Sequence, residues 1–210
     1  VNDITIYPSY HTGFETFEMV RQFNDPGFRS TQGCGRLASL TLKYLADSLV
    51  LPLSLSRFPA SMADALHKLD TVGTRDKIMA FYPDYKYLEE AVLRLSNATQ
   101  KFHHSVTGQD FNPVQLRRVN DQLIQFEQTF IIPGGLPNRP VTRHAVFAPS
   151  QFDNYASAGF PGIVDLMHGY DKLSGGALQQ REEALRTHIS LLTILTDRAS
   201  AKLRDVHVFG

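Results

Sequence analysis

Hydrophobic residues recur every three or four positions along most of this chain, which is the spacing of amphipathic α-helices. The stripes are longest over 85–104 and 179–203, and another begins at Pro113, a residue type favoured in the first turn of a helix. Shorter stripes predict helices over 30–49 and 60–69. Helices of this kind joined by short connectors are typical of a bundle, so the pattern predicts a mostly α fold.

The N-terminal part of the chain has a different pattern. Residues 3–7 alternate apolar and polar side chains, which predicts a short strand. A helix is predicted next, with Thr12 as its N-cap and Glu15 at the capping-box position. Its expected buried side consists of four apolar residues, Phe14, Phe17, Val20 and Phe23. Tyr10 and His11 then lie in the turn between strand and helix, where open α/β sheets place ligands.

The sequence VLPLSL at residues 50–55 interrupts the helical pattern. Everything after it has helical periodicity, whereas the residues before it include the predicted strand. We therefore predict a domain boundary here. Residues 1–49 are assigned to the C-terminal end of an α/β domain, and residues 50–210 to a helical domain.

A long segment rich in proline and turn-forming residues follows the helix that begins at Pro113. The apolar stripe of that helix runs to Phe130, and the proline and glycines at 133–135 are predicted to end it. Roughly thirty residues with further prolines follow, which is too long for a simple connector. Long loops held by rigid helices often carry functional sites. Arg139 and Arg143 in this segment are expected to bind loop carbonyls and helix ends.

The composition excludes several classes of protein. Lys+Arg and Asp+Glu both number 21, so no net charge is available to attract nucleic acid. The single cysteine, Cys34, cannot form an internal disulfide. No apolar run approaches the ~20 residues that span a bilayer, and the N-terminus lacks the zones of a signal peptide. The motifs G-x-S-x-G and H-E-x-x-H do not occur.

Several short strings between Asn120 and Ile163 point to a family: NDQL, FE-x-x-F, GLPNRP, RHAVFAPS, NYA and FPGI. In this order they resemble the C-terminal helical domain of the glutamate carboxypeptidase II family, which includes prostate-specific membrane antigen and the N-acetylated alpha-linked acidic dipeptidase-like proteins. The resemblance covers nearly the whole chain from Tyr7. It implies a helical bundle of the transferrin receptor-like dimerisation type, preceded by the strand and helix that end an α/β zinc-peptidase domain. It also implies a homodimer formed through the helical domain.

The resemblance gives roles to Tyr10 and His11. By themselves they are most simply a tyrosine packed at a turn and a hydrogen-bonded surface histidine. However, the string Y-H-T-x-F-E-T that begins at Tyr10 resembles the family stretch in which the histidine binds one of two zinc ions and the tyrosine faces the oxyanion of the tetrahedral intermediate. It therefore implies that His11 is a metal ligand and Tyr10 a catalytic residue. The family's other zinc ligands and its general-base glutamate lie upstream of Tyr7, so this polypeptide alone is expected to be inactive.

Asn154 and Tyr155 match the family's Lys-Tyr pair, which lines the pocket for the substrate's C-terminal residue. Tyr155 keeps the hydroxyl that binds a terminal carboxylate, whereas Asn154 replaces the lysine. An amide supplies a dipole instead of a full charge, so selectivity for an acidic terminal residue is expected to fall by about 1.5–3 kcal/mol. A broader dipeptidase or aminopeptidase specificity is equally compatible with this pair.

The sequence Asn97-Ala98-Thr99 is an N-glycosylation acceptor pattern. Relatives in the family carry a glycan at the matching helix, so Asn97 is an expected glycosylation site. Without a secretory route it is an unmodified surface asparagine. The resemblance places the protein on the extracellular or lumenal side of the secretory pathway, anchored in a membrane by an N-terminal segment that this chain does not contain.

Two functional hypotheses follow. The first is the C-terminal portion of a co-catalytic zinc exopeptidase that removes a terminal residue from small peptides and joins the rest of the peptidase chain upstream. The second is a non-catalytic receptor of the transferrin-receptor kind, in which the helical domain serves dimerisation and partner binding. Retention of both Tyr10 and His11 favours the first hypothesis.

Overall fold

The computed structural model describes residues 8–204, with the backbone alone described for 153–158. The strand predicted over 3–7 lies outside the described residues. The chain forms two compact units, Val1–Pro52 and Leu53–Gly210. Assignment of the N-terminal unit to the end of an α/β metallopeptidase domain stays a prediction.

The N-terminal unit consists of short helical turns followed by one long helix. Helix α1 (Phe17–Met19) continues as a π-helical stretch over Val20–Asn24, and a 3₁₀ turn over Pro26–Phe28 leads into α2 (Arg29–Asp47). The carboxylate of Asp25 accepts the amides of Ser30 and Thr31 at 3.0 and 2.8 Å, and so satisfies free N–H groups in the first turn of α2. These bonds, led by the one from the Thr31 amide, lower the pKa of Asp25 to about 2.

Two details predicted for this unit are wrong. The N-cap of the first helix is Thr16, whose hydroxyl accepts the Met19 amide at 3.2 Å, and Thr12 instead caps a turn that precedes the helix. The expected buried side is also exposed: Phe14, Phe17 and Phe23 are 78%, 70% and 75% accessible. Helical periodicity identifies an apolar face, but it does not supply the element that covers that face.

The second unit is a helical bundle, so the predicted mostly α fold is confirmed. Its helices are α3 (Arg57–Thr71), α4 (Thr74–Phe81), α5 (Lys86–Val106), α6 (Pro113–Gln128), α7 (Pro161–Met167) and α8 (Gly175–Lys202), with 3₁₀ turns at Pro83–Tyr85 and Tyr170–Lys172. The long helices α5 and α8 pack along each other, and α3 and α6 complete the core. The core is formed by the predicted apolar stripes, including Leu88, Leu95, Leu123, Phe126, Leu185, Ile189 and Leu192.

Strand β1 (Phe147–Ser150) and strand β2 (Asp153–Gly159) form an antiparallel hairpin between α6 and α7. The proline-rich segment was predicted as a loop, so this hairpin and helix α7 are additions to the sequence-based prediction. Helix α4 was also not predicted, and Gly73 separates it from α3 with a φ of 71°, a left-handed conformation that glycine adopts without strain.

Helix α6 begins as predicted but ends earlier. Pro113 occupies its first turn, and Asn112 and Gln115 form a reciprocal capping box. The helix ends at Gln128, before the proline and glycines at 133–135, and Phe130 is fully buried outside it. The apolar spacing of Phe130 therefore reflects burial in the core and not a continued helix.

Among the described residues, no helix has both the length and the apolar character required to cross a membrane.

Candidate functional site

A tight turn holds Tyr10 and His11 just before α1. The amide and the hydroxyl of Thr12 both donate to the carbonyl of Ser9, at 3.1 and 2.7 Å. The His11 amide donates to a carboxylate oxygen of Glu15 at 2.9 Å. His11 has a φ of 60°, a left-handed conformation that costs a non-glycine residue energy and is more common at functional sites than elsewhere.

The two side chains of this turn are stacked. The ring centroids of Tyr10 and His11 lie 3.8 Å apart with an interplanar angle of 20°, and both residues are exposed. Stacking restricts the imidazole and phenol to one mutual arrangement, so a group that contacts one ring lies close to the other.

A complete zinc site requires three or four donors from His, Cys, Asp or Glu. Within residues 8–204, apart from the side chains of 153–158, no group of three such residues is placed to hold a metal ion. Among these described residues, His11 therefore has no companion donors that would complete a zinc site.

The segment after α6 is held by backbone hydrogen bonds. The Ile132 amide donates to the Arg143 carbonyl and the Ala145 amide to the Phe130 carbonyl, both at 2.8 Å, so the chain folds back beside itself. The role predicted for Arg139 is confirmed, because its guanidinium donates to the Pro149 carbonyl at 2.6 Å. Arg143 makes a longer contact of this kind, 3.5 Å to the Ile132 carbonyl.

His144 has a structural role in this segment. Its Nδ1 accepts the amides of Val146 and Phe147 at 3.2 and 2.9 Å, which requires that nitrogen to be unprotonated. Burial lowers the pKa of His144, and the carboxylate of Glu127, with Oε1 3.6 Å from Nε2, opposes that shift in part. Because the single lone pair of Nδ1 is shared between two backbone amides, this histidine fixes the start of β1.

The carboxylate of Asp165 on α7 binds residues at the tip of the hairpin. Its Oδ1 accepts the Ser150 hydroxyl at 2.7 Å and the Gln151 amide at 2.9 Å, and its Oδ2 lies 3.1 Å from Nη1 of Arg139. The Ser150 oxygen in turn accepts the Phe152 amide at 3.1 Å. The side chains of Asp165 and Arg139 are only 5% and 15% accessible, so this is a largely buried, fully paired charge cluster.

The register of the hairpin leaves a stretch of β2 unpaired. Pro149 is opposite Ser157, yet the next residue, Ser150, is opposite Asp153. In the described backbone pairing, residues 154–156 therefore have no partner on β1. Such bulges often lie beside active sites, where they redirect side chains.

This unpaired stretch contains the predicted pocket residues. The backbones of Asn154 and Tyr155 lie in β2, but their side chains are outside the described residues. Tyr10 and His11 belong to the N-terminal unit, and Asn154 and Tyr155 to the second. The roles of all four residues stay predictions.

Asn97 lies on the exposed surface of α5, as a glycan acceptor must. Thr99 of the acceptor pattern is buried, and its hydroxyl donates to the Ser96 carbonyl at 2.9 Å. A glycan on Asn97 would therefore project from the helix surface without displacing the core.

Comparison with known proteins identifies the domain. The family profile of the transferrin receptor-like dimerisation domain matches residues 83–204, from the 3₁₀ turn that precedes α5 to just beyond α8. The chain belongs to this family. It is 32% identical over 209 residues to aminopeptidase NAALADL1 of Rattus norvegicus, an alignment that covers 96% of the chain and 27% of that protein.

Two further relatives carry glutamate carboxypeptidase names. The chain is 26% identical over 169 residues to the probable glutamate carboxypeptidase LAMP1 of Arabidopsis thaliana, covering 80% of the chain and 24% of the relative. It is 26% identical over 204 residues to a glutamate carboxypeptidase 2 homolog of Caenorhabditis elegans, covering 90% and 26%. The dimerisation domain here is thus the form found in the C-terminal part of glutamate carboxypeptidase II-like proteins. The chain spans about a quarter of the length of these relatives.

Sequence reasoning missed the Asp165 cluster of this dimerisation domain. The string FPGI contributes to the family resemblance, but the sequence analysis assigns no role to Asp165, which follows it two residues later. Its partners Arg139 and Ser150 are 26 and 15 residues away along the chain. No local pattern links residues so far apart, although a carboxylate within an otherwise apolar helix is a signal that it needs a buried partner.

Proposed function

We propose that this chain is the C-terminal portion of a co-catalytic zinc exopeptidase of the glutamate carboxypeptidase type, which removes a terminal residue from small peptides. The observation that carries the proposal is the Tyr10–His11 turn within a similarity that covers 96% of the chain. The relative in question is named as an aminopeptidase. Its similarity to this chain extends well beyond residues 83–204, which the dimerisation-domain family matches.

In this proposal each unit has a separate task. His11 gives its imidazole to one of two zinc ions, whose other ligands come from the remainder of the peptidase chain upstream, and the Tyr10 phenol donates a hydrogen bond to the developing oxyanion. Asn154 and Tyr155 contact the terminal residue of the substrate. Among the described residues this proposal assigns one metal donor, His11, so we expect the chain to be inactive without the upstream part.

The proposed test is His11→Ala in the full-length protein, with His67→Ala as a matched control because His67 is an exposed histidine on α3. We expect the His11 variant to lose bound zinc and to lose on the order of 100-fold or more in kcat/KM, since even residues that only orient a metal ligand are worth 10–100-fold. The control keeps the zinc content and kcat/KM of the unmodified protein. Full zinc content and full turnover in the His11 variant would remove the basis of the proposal.

A second function is a non-catalytic receptor-like protein, and the family description, transferrin receptor-like, favours it. It predicts that the unmodified full-length protein binds partners and dimerises but hydrolyses no peptide. An assay of peptide hydrolysis by the purified full-length protein in the presence of zinc therefore distinguishes the two functions. Hydrolysis supports the exopeptidase, and its absence supports the receptor-like protein.

The proposed assembly is a homodimer formed through the helical unit, in a membrane-anchored protein on the extracellular or lumenal side of the secretory pathway that carries a glycan on Asn97. The dimerisation-domain match and the exposed position of Asn97 support this. Mass measurement of the native protein before and after glycosidase treatment tests the glycan, with Asn97→Gln as the control. An unchanged mass would count against both the glycan and the secretory route.

A further inference from the structure

The buried carboxylate of Asp165 joins three parts of the chain that are far apart in sequence. It lies on α7 and binds Ser150 and Gln151 at the hairpin tip, and Arg139 from the preceding segment. A buried charge is costly unless every oxygen is paired, and here both oxygens have donors. A cluster of this kind fixes the geometry of the elements that it joins.

The cluster holds both ends of the unpaired stretch 154–156. At one end, Asp153 is opposite Ser150, whose hydroxyl is bound by Asp165. At the other end, Ser157 is opposite Pro149, whose carbonyl is bound by Arg139. Because residues 154–156 have no ladder partner of their own in the described pairing, their conformation depends on how firmly these two ends are held.

Neighbouring contacts reinforce the same anchor. Phe152 at the hairpin tip stacks on His168 at the end of α7, with ring centroids 3.7 Å apart. Helix α7 itself is held by α8, because Arg181 donates to the Leu166 carbonyl at 2.7 Å. At the far end of the hairpin, Gly159 packs directly on α3, since a Cβ there would lie 2.2 Å from that of Ala65. The stretch 154–156 is thus bounded by fixed structure.

We propose that Asp165, acting with Arg139 and Ser150, is a positioning residue for substrate recognition: it holds the hairpin so that Asn154 and Tyr155 are presented to the terminal residue of the substrate in one geometry. This inference rests on the proposed function, which assigns Asn154 and Tyr155 to the substrate pocket. Asp165 is not itself a catalytic residue, because its oxygens are occupied by protein donors.

The proposal makes a kinetic distinction. In this proposal Asn154 and Tyr155 contact the carboxylate and side chain of the terminal residue and not the reacting atoms of the scissile amide, so these contacts bind ground state and transition state about equally. Loosening the hairpin therefore raises KM and leaves kcat nearly unchanged. A purely structural defect would instead lower the fraction of active enzyme, and with it the apparent kcat.

The test compares Asp165→Asn and Ser150→Ala with the unmodified full-length enzyme. The asparagine has the same size and keeps one oxygen that can accept from Ser150 and Gln151. Its NH₂ group replaces the oxygen that faces Arg139, so the charged pair is lost. Asp197→Asn is the matched control, because Asp197 on α8 pairs with Arg94 of α5 at 3.0 Å and its described bonds do not involve the hairpin. Kinetics are measured together with hydrogen exchange of the peptide that contains Gln151 and Phe152.

We expect Asp165→Asn to raise KM about tenfold, with kcat within about twofold, since a hydrogen bond to a charged group is lost. Exchange of the hairpin amides becomes faster in both hairpin variants, and Ser150→Ala gives the smaller rise in KM. The control Asp197→Asn leaves both KM and the exchange rate of the hairpin amides unchanged. If Asp165→Asn fails to fold, Ser150→Ala carries the same test with a milder change.

The inference is overturned if the hairpin amides exchange faster while KM stays the same, or if neither quantity changes. Tyr155→Phe separates this result from a failure of the proposed function. A raised KM in Tyr155→Phe with an unchanged KM in Asp165→Asn rejects the positioning role alone. An unchanged KM in Tyr155→Phe rejects the pocket assignment itself, and the inference with it.

Discussion

At the scale of single residues, His188 is a buried ring held against backbone. It lies on α8, is 4% accessible, and its Nε2 occupies the space beside Gly162 of α7, where a Cβ would lie 2.1 Å away. Glycine at 162 is therefore required for α7 and α8 to approach so closely. Burial lowers the pKa of His188 to about 4, because the imidazolium would lose its hydration.

The depressed pKa of His188 predicts a loss of stability in acid. In the unfolded chain this histidine titrates near its ordinary value of 6.5, so between pH 7 and pH 5 the unfolded state binds a proton that the folded state does not. We expect this group to remove about 2 kcal/mol of the free energy of unfolding over that interval, with most of the effect saturated below pH 4. Denaturant unfolding at several pH values measures it.

His188→Gln should show a shallower pH dependence than the unmodified protein. His103→Gln is the control for the substitution itself, because His103 is exposed at the end of α5. An equally steep slope in His188→Gln would contradict the prediction.

Also at the residue scale, the proposed pocket role of Asn154 predicts a change of specificity. Asn154→Lys in the full-length enzyme restores a positive charge next to Tyr155, so the preference for an acidic over a neutral terminal residue should increase roughly 10-fold to 150-fold in kcat/KM. Hydrolysis of matched peptides that differ only in that residue measures the ratio. Asn154→Gln, which adds length without charge, is the control, and an equal ratio in both variants would reject the pocket role of residue 154.

At the scale of elements, the start of α6 is determined by hydrogen bonds between neighbouring residues. The Asn112 side chain accepts the amides of Val114 and Gln115 at 3.0 and 2.9 Å, and the Gln115 side chain accepts the Asn112 amide at 3.1 Å. All three contacts lie within four consecutive residues. A helix start of this kind is determined by the sequence around it.

Removal of this cap should destabilise the helical unit measurably. We expect Asn112→Ala to lower the free energy of unfolding by about 1 kcal/mol, because two amides in the first turn lose their acceptor. Asn112→Asp keeps an acceptor at the same place, so its stability should match or exceed that of the unmodified protein. Equal stability of the alanine and aspartate variants in denaturant unfolding would show that the capping box contributes nothing.

The end of the same helix depended on tertiary contacts. The spacing of apolar residues continues through Phe130, yet α6 ends at Gln128 and the Ala145 amide binds the Phe130 carbonyl. The chain leaves the helix because residues 143–145 form hydrogen bonds with the backbone of residues 130–132. The sequence around Phe130 does not contain this information. The hairpin was missed for the same reason, since its tip is held by Asp165 and not by a characteristic turn sequence.

At the scale of the whole molecule, the dimerisation domain carries an apolar groove between the segment after α6 and the helix α8. The groove has a volume of about 650 Å³ and is open to the surface. It is lined mainly by apolar side chains with basic residues at one side: Thr129, Ile131, Ile132, Pro133, Leu191, Leu195, Arg198, Ala201 and Lys202. The family description makes a second copy of the chain the expected partner of such a surface.

This gives a prediction for the oligomeric state. Ile131→Glu places a charge in the groove, so we expect the dimer dissociation constant to rise at least about tenfold, because the carboxylate must be desolvated on association. Val141→Glu is the control, since Val141 is 91% accessible outside the groove. Sedimentation equilibrium of the full-length protein measures both, and equal dissociation constants would show that the groove is not part of the interface.

The sequence by itself determined the helices with a continuous apolar face, the cap at the start of α6, and the family. The helices and the cap depend on residues within a few turns of one another, so periodicity and local hydrogen bonding suffice to specify them. The family follows from the order of several short strings, which can be read without knowing how they pack. The tertiary structure alone decided that Asp165, Ser150 and Arg139 meet, that residues 154–156 are unpaired in the described register, and that Phe14, Phe17 and Phe23 are exposed. Pairing of buried charges and coverage of apolar faces depend on which distant segments the fold brings together, and that information is not present in any one segment.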